Sequence, residues 1–203
     1  RSRGEKYTEA IKYTKNGRRV AIGGAGANGL PCGYYLVRLG YDVDGYKAHS
    51  KAGGVLAYGI PEYRLPTDIL EHEINSIRQE GVNIHLNTEV GRDISFALLR
   101  DEYDAVYLAT GTQFPNMVGV DGEGLKGVFH GLPFLRDVHF GKRVKIGKHV
   151  TVIGGGSTAM DAARTAIRLG APKVTVVYRR TIDDMPADRR EIEEAIEEGV
   201  KIM

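Results

Sequence analysis

The sequence predicts an α/β fold with two Rossmann-like dinucleotide-binding units and parallel sheets, the second unit being incomplete at the C-terminus. A short apolar strand, a glycine turn and a helical stretch occur at residues 20–29 and again at residues 150–159. Strand-like and helix-like segments also alternate along the chain, which is typical of parallel sheets. One glycine fingerprint is a weak signal, whereas two in the same context indicate two bound dinucleotides.

Composition excludes several classes of protein. The chain has 203 residues and a net charge of +2, so charge gives no reason to expect a nucleic acid or an anionic membrane as partner. Its apolar stretches are strand-sized, and the N-terminus does not resemble a signal peptide, so we expect a cytoplasmic protein. Cys32 is the only cysteine, which excludes an internal disulfide and an iron–sulfur cluster ligated by this chain alone.

The first unit is predicted as an FAD-binding-like domain over residues 19–145, preceded by a polar arm over residues 1–18. Its predicted elements are a helix from Leu30 to Gly40, a strand over Tyr41–Lys47, a loop over 48–66, a helix from Thr67 or Asp68 to Gln79, and strands over Val82–Leu86 and Asp104–Ala109. Residues 112–147 are expected to be irregular, apart from a short helix near Leu132 to Val138.

The second unit is predicted as the first half of an NAD(P)H-binding domain over residues 146–203. Its predicted elements are a helix over Ser157–Leu169, a strand over Val174–Tyr178, an acidic helix over Asp188–Glu198 and the start of a third strand at Val200. A complete domain of this kind needs further strands. We therefore expect the sequence to be the N-terminal part of a longer polypeptide.

The second fingerprint predicts a site for NADP(H). Gly154 permits the tight turn, and Gly156 lets the backbone approach a pyrophosphate at the positive end of the following helix. An NAD site usually places an acid after the second strand, but Arg179 and Arg180 occupy this place. Two guanidinium groups can bind a 2′-phosphate bidentately. The alternative is a structural turn with two solvated arginines.

The first fingerprint is less regular. Its three glycines are Gly24, Gly26 and Gly29. Lys47 stands where an acid is expected to bind the ribose, and a lysine cannot accept hydrogen bonds. The strand before it contains Asp44 and Gly45, where apolar residues normally pack. The residues leave open whether this unit binds FAD weakly, through other contacts, or only retains the fold.

Other motifs give weaker signals. The six histidines show no ligand spacing, so no metal site is predicted, and no arrangement for nucleophilic catalysis stands out. Catalytic residues are therefore not assigned, and a direct hydride transfer needs none. The charged run from Asp183 to Glu198 is interpreted as a solvated helix face, and Cys32 as a small buried packing residue.

Five segments together resemble the glutamate synthase small (beta) subunit family. The most specific is residues 51–66, KAGGVLAYGIPEYRLP. The others are Tyr107–Gly111, Gly154–Asp161, Val177–Arg180 and Met185–Ala187. The same family includes the large subunit of NADH-dependent ferredoxin:NADP oxidoreductase and the flavin region of dihydropyrimidine dehydrogenase.

The resemblance implies an FAD domain with an inserted NADPH domain, which passes electrons to iron–sulfur clusters held in other regions or in partner subunits. The positions that match FAD contacts are Gly24, Gly26, Gly29, Gly53, Gly54, Leu56, Arg64 and Gly111. Those that match NADPH contacts are Gly155, Gly156, Ser157, Thr158, Arg179 and Arg180, next to Gly154 in the turn. Lys47 departs from the acid of the family.

The function expected from these features is that of an NADPH-dependent flavin oxidoreductase. Its expected partners are the two nucleotides and a larger subunit of the glutamate synthase type or an iron–sulfur protein. The alternative is a non-catalytic nucleotide-binding or scaffold subunit of a larger redox complex, which the irregular first site favours. A disulfide reductase is disfavoured because one cysteine cannot form a cycling dithiol. The terminal electron acceptor leaves no signature in the sequence.

Overall fold

The computed structural model describes residues 14–112 and 117–203 and shows an α/β fold with two parallel sheets, as predicted. The chain divides into two compact units. The first comprises the described residues up to Ala57 together with Thr67–Gly111, and the second comprises Tyr58–Pro66 together with the described part of Thr112–Met203. Most of the predicted arm, up to residue 13, and residues 113–116 lie outside the described residues. The domain boundary placed between residues 145 and 146 stays a prediction.

The first unit is built on a four-stranded parallel sheet. Its elements are β1 (Arg19–Gly23), α1 (Gly29–Arg38), β2 (Asp42–Tyr46), α2 (Val55–Tyr58, whose last residue belongs to the second unit), α3 (Thr67–Gln79), β3 (Val82–His85), α4 (Phe96–Glu102) and β4 (Ala105–Leu108). The strand order is β3-β2-β1-β4. Because β1 is central, its residues Val20, Ala21 and Ile22 are buried from both sides.

Alternation along these strands assigns the two faces of the first sheet. Val20, Val43 and Val82 form one apolar cluster, against which side chains of α1 and α3 pack. Ala21 points the other way, into a second cluster with Leu99 of α4. The glycine turn that follows β1 is thereby held at the carboxyl edge of a sheet covered on both faces.

Polar contacts explain the acid within β2. Asp44 accepts hydrogen bonds from the Tyr103 hydroxyl at 2.9 Å and from His85 Nε2 at 2.8 Å, and Arg19 lies 3.6 Å away. Tyr46, two residues along the same face, shares a hydrogen bond of 2.8 Å with the Tyr103 hydroxyl. Partial burial opposes ionisation, but these hydrogen bonds prevail and lower the pKa of Asp44. The hydrogen-bonding groups of Asp44 therefore have partners, and the strand forms despite this acid.

The second unit contains a three-stranded parallel sheet in the order β5-β6-β7. Its elements are α5 (Gly131–His139), β5 (His149–Ile153), α6 (Ser157–Arg168), β6 (Lys173–Val177), a 3₁₀ turn (Ile182–Asp184), α7 (Arg189–Glu197) and β7 (Lys201–Ile202). The core contains Val174 and Val176 of β6, Met160 of α6 and Ile192 of α7. Packing of these helices on β5 and β6 fixes the second glycine turn at the sheet edge.

The interpretation of the acidic helix as a solvated face is wrong for part of α7. Glu194 and Glu198 each lie 2.7 Å from the guanidinium of Arg164, which is only 6% exposed. Glu191 pairs with Arg64. A buried arginine needs carboxylate partners, so these acids face inward. Cys32 is half-buried rather than buried, and burial raises the pKa of its thiol.

Candidate functional site

Two of the glycines in the first turn are required by the fold itself. Gly24 has φ of +131°, and a Cβ there would overlap the Ala109 carbonyl. A Cβ on Gly29, the first residue of α1, would overlap the Gly24 carbonyl and lie 3.2 Å from Ile22. These two glycines therefore let the turn and the helix approach β1 and β4, whatever the chain binds.

Gly26 is not required for packing. A Cβ on Gly26 would meet only the backbone of Gly53 and Gly54, with the nearest atom, Gly54 Cα, at 3.5 Å. The Gly53–Gly54 turn lies against the fingerprint, because the Gly53 amide donates to the Ala25 carbonyl at 2.7 Å. The structure thus brings together the predicted glycines of the fingerprint and of the 51–66 segment.

The N-terminus of α1 has no side-chain cap, which is also true of α5 and α6, whereas Ser95 and Asp188 cap α4 and α7. Within the described residues, Asn28 makes no capping hydrogen bond, and its Oδ1 instead accepts from the Tyr107 hydroxyl at 2.9 Å. By contrast, Ser95 caps α4 by accepting from the Leu98 amide at 3.1 Å. Uncapped N–H groups and the helix dipole favour an anion such as a pyrophosphate.

The remaining residues predicted to contact FAD are distributed over both units. Gly111 follows β4 with φ of +69°, two residues beyond the Ala109 carbonyl that contacts the glycine turn. Leu56 is a half-buried residue of α2. Arg64 belongs to the second unit. Their contact with a flavin stays a prediction.

Lys47 is buried and is not a solvated surface lysine. It directly follows β2, as predicted, but it is only 7% exposed. Its amide donates to the His85 carbonyl at 2.9 Å, and its own carbonyl accepts from the Thr88 amide at 2.8 Å. These bonds hold the backbone inside the unit, and burial lowers the pKa of the ammonium group.

The first glycine of the second turn has nearly the same positive φ as the first glycine of the first turn. Gly154 has φ of +133°, against +131° for Gly24, and its amide donates to the Val177 carbonyl at 3.0 Å. A Cβ on Gly154 would lie 3.7 Å from Ala159 Cβ, which is an ordinary contact. The backbone conformation, rather than crowding, therefore requires this glycine.

Gly156 leaves an open space at the N-terminus of α6. Its φ of −92° and ψ of 172° are accessible to any residue, and among the described residues a Cβ there would meet only Pro186, at 4.0 Å. As the N-cap residue it provides no side-chain acceptor, and Ser157 and Thr158 of the first turn are exposed. Neither strain nor packing demands a glycine here, and the space suits a pyrophosphate.

Gly155 has a different environment from its neighbours. A Cβ there would lie 2.8 Å from the Tyr178 ring and 3.0 Å from Met185. The Gly155 carbonyl accepts from the Ala187 amide at 3.0 Å. The predicted contact of Gly155 with NADPH stays a prediction, whereas its role in packing against residues 178–187 follows directly from these distances.

Arg179 and Arg180 follow β6 and are both exposed. Neither guanidinium makes an ion pair or a hydrogen bond with any residue in the described part of the chain. Two uncompensated positive charges after the second strand are suited to a phosphate rather than to a ribose diol.

Arg64 takes part in an ion-pair group that the sequence does not reveal. It donates to Asp161 Oδ2 at 2.6 Å and pairs with Glu191. Burial, opposed by Arg64, raises the pKa of Asp161. The neighbouring Tyr63 ring lies beneath Arg164 and Arg168, at 4.6 Å and 4.0 Å from its centroid. An acid on the buried face of α6 is the only sequence signal for this group.

A family comparison identifies the class of protein. The pattern that describes the pyridine nucleotide-disulphide oxidoreductases matches residues 18–203. The chain belongs to this family. The predicted Rossmann-like fold class is confirmed.

Relatives in the oxidoreductase family carry more specific names. The chain is 45% identical to the NADP(+)-dependent formate dehydrogenase subunit beta of Moorella thermoacetica, over 98% of this chain and 29% of that protein. It is 40% identical to the glutamate synthase [NADPH] small chain of Escherichia coli K12, over 94% of this chain and 42% of that protein. The resemblance to glutamate synthase small subunits is thereby confirmed, although the chain spans less than half of either relative.

A solved oxidoreductase has the same fold. FprA of Mycobacterium tuberculosis in complex with NADPH superposes with a TM-score of 0.77 over 90% of this chain and 48% of that chain, at 20% identity. In the described part of this chain, no helix is long and apolar enough to cross a bilayer, and no group of His, Cys, Asp or Glu has the arrangement of a metal site.

Proposed function

We propose that this chain is the nucleotide-binding part of an NADPH-dependent flavin oxidoreductase, which relays electrons from NADPH through FAD to iron–sulfur centres in other regions or in a partner subunit. The observation that carries the proposal is the second site. Gly156 leaves the α6 N-terminus open, and Arg179 and Arg180, which have no partner among residues 14–112 and 117–203, follow the adjacent strand. An open helix N-terminus with two free guanidinium groups suits a pyrophosphate together with a 2′-phosphate.

The first unit would hold FAD in a similar manner. Gly24 has nearly the same positive φ as Gly154, a Cβ on Gly26 would meet no crowding among the described residues, and α1 has no side-chain cap. When bound, the two cofactors supply hydride transfer and the release of single electrons. The residues of the chain bind and orient them, which is the contribution expected of the protein in such chemistry.

The partners and the compartment belong to the same proposal. The relative from Moorella thermoacetica is named as a subunit beta, as is the NADPH-Fe(3+) oxidoreductase relative from Geobacter sulfurreducens at 45% identity. We therefore propose that the chain works beside a larger subunit, which holds iron–sulfur clusters, in the cytoplasm.

A scaffold subunit without bound flavin is the competing interpretation. Asp44 and Gly45 favoured it from sequence, but Asp44 is satisfied by Tyr103 and His85, so Lys47 remains its main support. A visible absorption spectrum of the purified protein separates the two interpretations. Bound flavin absorbs blue light, and a colourless protein that also fails to bind added FAD would support the scaffold.

The nucleotide preference tests the second site. We expect the parent protein to bind NADPH more tightly than NADH, since each charge-assisted hydrogen bond to the 2′-phosphate contributes about 1.5–3 kcal/mol, or roughly tenfold or more in affinity. The double variant Arg179→Ala/Arg180→Ala should lose the preference. Arg18→Ala/Arg100→Ala, which removes two exposed charges from the first unit, is the matched control. Equal affinities in the parent protein would refute the proposal.

A further inference from the structure

The segment after β6 that carries the two arginines is closed on itself and anchored to the glycine turn. The Tyr178 hydroxyl donates to the Asp184 carbonyl at 3.1 Å, which closes the segment at one end. At the other end the Ala187 amide donates to the Gly155 carbonyl at 3.0 Å. We call residues 178–187 the arginine loop. The bond from Ala187 therefore anchors the arginine loop to the second glycine turn, and the bond from Tyr178 closes the loop.

The arginine loop also contains two acids, and both are engaged by other residues. Asp184 Oδ2 accepts from the Thr181 hydroxyl at 2.6 Å and from the Thr181 amide at 3.2 Å, in a capping box. Asp183 Oδ1 accepts from Arg189 of α7 at 2.7 Å. Each carboxylate thus has a donor that holds it.

This arrangement leaves the two cations of the arginine loop available. Arg179 and Arg180 lie three to five residues from these acids in sequence, and guanidinium groups pair readily with carboxylates. In the described part of the chain, however, neither arginine pairs with either acid. Arg189 and Thr181 already bind the two carboxylates, which disfavours a local ion pair that would neutralise the two arginines.

We propose that Arg189 and Thr181 are positioning residues that set the specificity of the arginine loop for a 2′-phosphate. Arg189 holds the carboxylate of Asp183, and Thr181 holds that of Asp184. A released carboxylate would compete with the phosphate for the guanidinium groups and would repel the phosphate's own charge. This inference rests on the proposed function of the second site as an NADPH site.

The test compares two arginines of the same helical turn. Arg189→Ala releases Asp183, whereas Arg190→Ala removes an equal charge whose partner is Glu194 of α7, at 2.9 Å. Dissociation constants for NADPH and NADH are measured by calorimetry on the intact chain. We expect Arg189→Ala to weaken NADPH binding about two- to fivefold relative to Arg190→Ala, the range of an exposed ion pair, with NADH binding equal in both.

A second substitution at Asp183 shows whether Arg189→Ala weakens NADPH binding through the released carboxylate or through a disturbed arginine loop. Asp183→Asn in the Arg189→Ala background removes the freed carboxylate, so NADPH affinity should return to that of Arg190→Ala. Thr181→Val is the second variant: it should weaken NADPH binding, and Asp184→Asn should restore it. Thermal unfolding verifies that each variant is folded.

Each outcome of the test decides a separate question. Equal NADPH affinities for Arg189→Ala and Arg190→Ala, or a failure of Asp183→Asn to restore binding, would overturn the inference while the proposed function stands. Equal weakening of NADPH and NADH would also overturn it, because a 2′-phosphate effect cannot reach NADH. A parent protein without preference for NADPH would overturn the proposed function and the inference together.

Discussion

Substitutions at Gly154 and Gly156 should distinguish an effect on nucleotide binding from an effect on stability. Gly156→Ala places a methyl group where it meets only Pro186 at 4.0 Å, in a conformation that alanine adopts freely. The gain from a less flexible unfolded chain, about 0.4–1 kcal/mol, is offset by the poorer N-cap preference of alanine. We therefore expect the free energy of unfolding to change by less than about 0.5 kcal/mol.

Binding of NADPH should respond strongly to the same methyl group. In the proposed site, it would occupy the space through which a pyrophosphate reaches the N–H groups of α6. Loss of one charge-assisted hydrogen bond costs about 1.5–3 kcal/mol, which corresponds to a tenfold to hundredfold weaker affinity. Affinity is measured from the fluorescence of NADPH itself, and stability from chemical denaturation.

Gly154→Ala is the matched control for this prediction. Its φ of +133° is strained for alanine, although its nearest neighbour would be an ordinary 3.7 Å away. We expect a loss of stability of about 1–3 kcal/mol, the usual cost of such a conformation. If Gly156→Ala binds NADPH as the parent does, the pyrophosphate does not lie at this turn, and the reasoning is wrong.

Three further predictions concern the first unit. Gly26→Val should abolish flavin binding in a protein that still folds, since the valine side chain would enter the space left open at the first turn. Unchanged flavin content per chain would show that the cofactor binds elsewhere. Tyr103→Phe should lower the free energy of unfolding by about 1–2 kcal/mol at neutral pH, because Asp44 loses a hydrogen bond. The folded-state pKa of Asp44 is depressed below its usual 3.8, so the stabilisation that its carboxylate provides is lost as pH falls. Urea titration should therefore show the difference between variant and parent shrinking below pH 3.8. Lys47→Glu should tighten FAD binding if the new carboxylate accepts hydrogen bonds from the ribose hydroxyls. Weaker FAD binding or a lower melting temperature would instead assign the buried ammonium of Lys47 a role in holding a phosphate or an acid. Unchanged FAD affinity together with an unchanged melting temperature would contradict both explanations.

Periodicity and glycine punctuation were sufficient to predict most of the fold. The helix predicted from Thr67 or Asp68 to Gln79 is observed at Thr67–Gln79, and the strand predicted over Val174–Tyr178 is observed at Lys173–Val177. The helix α4 was missed although Ser95 caps it, because its seven residues are too few to show a helical period. The strand β2 looked irregular because the partners that satisfy its acid are distant in sequence: they lie in β1, in β3 and at Tyr103, directly after α4.

Only those residues of the candidate site could be predicted whose positions follow from their spacing in the sequence. Spacing located the glycine turns and the two arginines after β6, whereas burial of Lys47 and the pairing of Arg64 with Asp161 depend on long-range packing. Sequence also gave no way to divide the glycines of one fingerprint into those that the fold requires and those that it does not. That division needs the distances around each missing Cβ.

The division of glycines bears on whether the first site binds a nucleotide. Gly24 and Gly29 have reasons within the fold, whereas Gly26 and Gly156 have neither a positive φ nor a crowded Cβ position. At Gly26, a glycine that packing does not need lowers stability by about 0.5–1 kcal/mol relative to alanine, because the unfolded chain gains entropy, whereas at Gly156 the N-cap preference for glycine offsets this cost. A turn with a purely structural role has no reason to keep such a glycine, whereas a turn that binds a phosphate needs the space that the missing side chain leaves. Since the two turns share this feature, the same argument that favours a dinucleotide at the second site favours one at the first, despite Lys47.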